Sequence, residues 1–93
     1  MSDTKVYYLA DGVQVRPEKF GLLFYNYRGP RLYFVASGDL LTADFFTGRQ
    51  SAAALATQLA QQRGWPEVWT RNWLRETLGL LEAKGLIYGQ SLC

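Results

Sequence analysis

Histidine is absent from the 93 residues, and cysteine occurs once, as Cys93. Without histidine the chain lacks the usual general base and the commonest metal ligand. One terminal cysteine cannot build a disulfide framework, a cysteine metal site or an iron–sulfur cluster, which takes several thiolates. No cofactor is expected, and redox chemistry near this chain falls to another protein. Long apolar runs are missing too: none approaches the 18 or so residues of a membrane span, and the polar start Met1-Ser2-Asp3-Thr4-Lys5 is no signal peptide. A cytoplasmic location is the expectation. Charge of one sign is also lacking. Ten basic residues face eight acidic ones, a net +2, and the signs alternate along the chain, whereas phosphate binding needs a concentrated basic face.

Apolar residues, in contrast, make up 48% and aromatics 15% of the chain. That is ample for one core, so residues 1–93 read as a single domain without repeat or linker. Two aromatic-rich runs, Leu22 to Tyr27 and Leu32 to Val35, flank Arg28-Gly29-Pro30-Arg31 and read as strand, turn, strand. Pro30 stands where the third strand opens and a missing donor costs least. Ahead of them Val13-Gln14-Val15-Arg16 alternates as a half-buried strand does, and Pro17 ends it or places it at an edge. Val6 to Leu9 is a short apolar run, and residues 1–4 are expected to fray.

Everything after Ser37 reads as helical. Asp39 is a candidate N-cap for a first helix that buries Leu40, Leu41 and Phe45 and stops at Gly48. Ser51 caps a second helix that Gly64 closes, and Pro66 opens a third that runs to Lys84 before Gly85. The third carries a broad stripe of Val68, Trp69, Trp73, Leu74, Leu78, Leu80 and Leu81, wider than a lone surface helix needs. Leu86-Ile87-Tyr88 follows as a short strand or tail. The expected fold class is therefore α+β: a winged helix-turn-helix in which a small N-terminal antiparallel three-stranded sheet packs on a three-helix bundle.

No nucleophile sits beside a base in sequence, and the acidic residues fall in turns, caps and helix surfaces, so no enzyme is expected. A DNA reading would send the third helix into the major groove, but its outward residues Arg71, Asn72, Arg75, Glu76 and Glu82 include two carboxylates that phosphates repel. Peptide capture fits better: an open third strand offers unpaired N–H and C=O groups to an added strand, with the third helix as a wall. Against it stands a closed arrangement, in which the N-terminal segment covers that edge and Trp69 and Trp73 are core. On residues alone the two are equal. An exposed edge with hinges at Gly12 or Gly38 also allows a homodimer.

Arg16-Pro17-Glu18, then Phe20-Gly21-Leu22-Leu23 and Tyr25, then Arg31-Leu32 and Phe34, and finally Leu80-Leu81 with Lys84-Gly85-Leu86-Ile87 resemble the mycofactocin peptide chaperones. These are a branch of the PqqD-like family of recognition elements for ribosomally made, modified peptides. The resemblance spans about residues 13 to 88. It implies a non-catalytic chaperone that binds the leader of a precursor peptide by strand addition and presents it to a radical SAM maturase, which then works on the C-terminal Val-Tyr of the precursor. Leader recognition for another pathway, such as that of pyrroloquinoline quinone, and a winged-helix DNA-binding regulator are the alternatives. Carried over by position, the leader groove consists of Arg31, Leu32, Tyr33, Phe34, Val35 and Ala36 with Trp69, Arg71, Asn72, Trp73, Arg75 and Leu78. Arg71 and Arg75 would meet acidic leader residues. In the Arg16 to Gly21 block, Gly21 would permit a bulge or tight turn and Phe20 would plug the sheet end; the alternative is a docking surface for the maturase.

Overall fold

The computed structural model describes residues 5–29 and 31–91, with Arg31 described by its backbone alone. The expectations for residues 1–4, for Pro30 and for Cys93 lie outside the described residues. In chain order the elements are β1 (Lys5–Leu9), β2 (Val13–Glu18), β3 (Gly21–Asn26), β4 (Arg31–Val35), a 3-10 helix (Ala43–Phe46), α1 (Ala52–Arg63), α2 (Glu67–Ala83) and β5 (Ile87–Ser91).

Among the described residues five strands form two sheets, and there are two α-helices. This corrects the expected winged helix-turn-helix, because the described residues form no three-helix bundle; the fold is a small α+β arrangement. The missing helix is the one placed after Asp39. Gly38 and Gly48 both take positive φ, 56° and 79°, and break the backbone on either side. Between them Phe45 and Phe46, adjacent in sequence, are both buried. With left-handed glycines at both ends, the segment has room for no more than the single 3-10 turn Ala43–Phe46. Asp39 caps nothing there. Its carboxylate accepts a 2.6 Å hydrogen bond from Arg63 at the end of α1, which holds its pKa below the usual value.

The other helix signals are realised. The Ser51 hydroxyl accepts from the Ala54 N–H at 3.1 Å. Gly64 closes α1 in the left-handed conformation, and α2 ends at Lys84 before Gly85, whose φ is +74°.

β2, β3 and β4 form an antiparallel meander in that order. β2 runs through Pro17 instead of ending there, and as an outer strand it tolerates the missing donor. The register sets Val15, Phe24 and Tyr33 in one row and Pro17, Leu22 and Val35 in another. Leu22 and Phe24 are buried and Tyr33 and Val35 pack against the core, so these rows form the inner face. The outer face carries Leu23 and Tyr25 beside Phe34 and Leu32.

β1 does not cover β4. It pairs antiparallel with β5, Lys5 opposite Ser91 and Leu9 opposite Ile87, as a second sheet. Tyr7, Phe24, Phe45 and Phe46 meet the leucines of α1 and α2 in one core. Phe46 contacts both Phe24 and Phe45 edge to face at centroid separations of 5.3 and 5.2 Å. Among the described residues no helix is long and apolar enough to cross a membrane.

Candidate functional site

Among the described residues β4 is the outer strand of its sheet and pairs on one side only, with β3. Along its open side runs a groove of about 210 Å³, lined by Tyr33, Phe34, Val35 and Ala36 from the strand and by Trp73, Thr77 and Leu80 from α2. At about 100° per residue, Trp73, Thr77 and Leu80 lie within about 60° of one another on the helix. Thr70, Leu74, Leu78 and Leu81 form the neighbouring stripe, and all four are buried. The broad apolar band of α2 is thus two bands, one sunk in the core and one facing the strand.

The structure brings Tyr33, Phe34, Val35, Ala36 and Trp73 together in the groove. Leu32 stands at its rim, 73% exposed. Trp69 lies one turn beyond, half-exposed and edge to face with Trp65 at 5.3 Å. Leu78, at 1% exposure, lies in the core beneath the groove. Asn72 is exposed to solvent. Arg71 and Arg75 are about 160° round the helix from Trp73, on the flank away from β4, and Arg71 pairs with Glu67 at 3.4 Å. The Arg31 side chain lies outside the described residues. Sequence reasoning passed over Thr77 and Leu80, although the spacing 73, 77, 80 was there to be read from Trp73.

The Thr77 hydroxyl donates to the Trp73 carbonyl at 2.9 Å. The lining is mixed, with apolar surface from Trp73 and Leu80 beside polar groups that include the Tyr33 hydroxyl. An open strand edge beside a helix has the groups to accept an extended chain through its backbone. Among the described residues no grouping of His, Cys, Asp or Glu could hold a metal ion.

In the Arg16 to Gly21 block, a Cβ on Gly21 would meet the Val35 carbonyl oxygen at 1.8 Å, so only glycine lets β3 run this close to the end of β4. Phe20 does not plug the sheet end: it is 67% exposed, with the Lys19 ammonium 5.4 Å from its ring. Arg16 and Glu18 form an exposed ion pair at 2.9 Å.

A sequence model of the peptide chaperone MftB family matches residues 6–88. The chain belongs to that family. The match takes in the whole span from β1 to the start of β5, including both walls of the groove. No curated protein and no solved structure matches this MftB-family chain. The family description makes the chain a peptide chaperone, and the β4–α2 groove is where its geometry can accept a peptide.

Proposed function

We propose that this MftB-family protein is a non-catalytic, cytoplasmic chaperone, a single peptide-recognition domain that takes up the leader of a mycofactocin precursor as a strand added to β4. It then presents the core of that peptide to a radical SAM maturase. The observation that carries the reading is the side of β4 left unpaired among the described residues, with Trp73, Thr77 and Leu80 across the groove from it. The segment Tyr33 to Ala36 spans about 10 Å when extended and Trp73 to Leu80 about 10.5 Å along the helix axis, so the two walls are of matching length.

Holding the leader makes encounter of the core peptide with the maturase effectively intramolecular, and no bond is made or broken in this protein. Micromolar affinity requires about 8 kcal/mol. Several ladder hydrogen bonds at about 1 kcal/mol net, with two or three side chains buried against Trp73 and Leu80, reach that figure.

Calorimetric titration with the precursor peptide, whole and without its leader, tests this. Binding near micromolar that changes little with salt and disappears without the leader is expected. Phe34→Asp, at a side chain already 44% exposed, should weaken binding by about tenfold or more while circular dichroism shows the fold intact. Equal binding by this variant would move the peptide off β4. Steep loss of binding with salt would instead indicate a surface-charge interaction.

A further inference from the structure

The sequence drew attention to Arg71 and Arg75 as partners for acidic peptide residues, yet the cation on the groove side of α2 is Lys84. It continues the Trp73, Thr77, Leu80 spacing and lies about 20° round the helix from Trp73. Its ammonium sits 4.6 Å from the centroid of the Tyr33 ring, so the side chain is turned toward β4. No carboxylate among the described residues pairs with it. Beside it, Leu32, Tyr33, Lys84 and Leu86 line a second cavity of about 160 Å³. Tyr33 lines both this cavity and the β4–α2 groove, so the two adjoin at that residue.

We infer that the Leu32–Tyr33–Lys84–Leu86 cavity is an acidic-residue subsite at one end of the peptide groove, where a glutamate or aspartate of the client meets the Lys84 ammonium. The inference rests on the groove reading above and adds a sequence requirement to it. Tyr33 and Val35 share the face that looks toward α2. In an antiparallel strand added to β4, the client residues opposite Val35 and Tyr33 point to that same face and are two apart. The first meets Thr77 and Leu80, and the second meets Lys84. A residue two places earlier reaches the Trp73 end. From Trp73 to Lys84 is about 16 Å along the helix, the length of about five strand residues. The client segment therefore reads apolar-x-apolar-x-acidic in the N-to-C direction. The acidic side chain meets a cation held in place by an aromatic face.

The Lys84 side chain also stands at the C-terminal end of α2, where any cation is favoured by the free carbonyls, so loss of affinity in one variant is not enough. The test is a double-mutant cycle at low salt. The precursor leader is titrated with each of its acidic residues changed singly to the amide, against the wild-type protein, Lys84→Gln and Lys84→Glu. One acidic position, two residues after an apolar one, should lose about two- to fivefold on the wild type and nothing further on Lys84→Gln. The same position changed to lysine should restore binding to Lys84→Glu. If Lys84→Gln binds every peptide within about 1.5-fold of wild type while Phe34→Asp still weakens binding by about tenfold or more, the subsite is wrong and the groove stands. Uniform weakening with no coupled position gives Lys84 a structural role and also overturns the subsite. If the wild type does not bind the leader at all, the groove reading fails and this inference fails with it.

Discussion

At Gly21 a methyl group would lie 1.8 Å from the Val35 carbonyl oxygen and 2.9 Å from the Ser37 nitrogen. Both are backbone atoms, which cannot swing aside as a long side chain would. Gly21→Ala should therefore destabilise the fold by at least about 1–3 kcal/mol, a fall in Tm of about 5–20 °C by thermal melt. Because the strain falls on β4, leader affinity should drop with it. Tyr7 sets a different, pH-dependent term. Burial, and secondarily the charge of Glu82, raises its pKa above the ordinary 10.0. The folded protein thus keeps this proton where the unfolded chain has released it, and stability falls as pH rises beyond 10. Urea unfolding at a series of alkaline pH values should show that decline, and Tyr7→Phe should flatten it.

The two stripes of α2 separate stability from binding within a pair of adjacent residues. Leu81 is fully buried, at 0% exposure, and Leu80 is 47% exposed in the groove wall. Leu81→Ala should cost about 2–5 kcal/mol of stability. Leu80→Ala should cost under about 0.5 kcal/mol yet weaken the leader severalfold, as thermal melts and calorimetry on both variants would show. Much of this helix is legible in the sequence, since Ser51, Gly64, Pro66 and Gly85 punctuate α1 and α2 through local chemistry that needs no distant partner. The strands of the meander are legible for the same reason, their runs being marked off by turn residues. Ala43 to Phe46 is not, because its rings pack against Tyr7 and Phe24, which are distant in sequence. Nor is the flank on which a cation falls: Arg71 and Arg75 look available until β4 is placed, and then Lys84 is the one beside Tyr33.

Across the whole molecule, the pairing of β1 with β5 joins segments about 80 residues apart, a contact that no local pattern announces. This pairing leaves β4 open, because the N-terminal strand that could have covered it is engaged elsewhere. It also anchors Val6 and Ile87 in the core, at 1% and 3% exposure. Ending the chain after Leu86 should accordingly unpair β1 and abolish cooperative unfolding, by near-ultraviolet circular dichroism against temperature.

Lys5 lies opposite Ser91, so the first and last described strands leave the fold side by side. A short linker could join them, and a new opening in the turn at Gly64 would leave every strand pair intact. A chain joined and reopened in that way should keep the groove between β4 and α2.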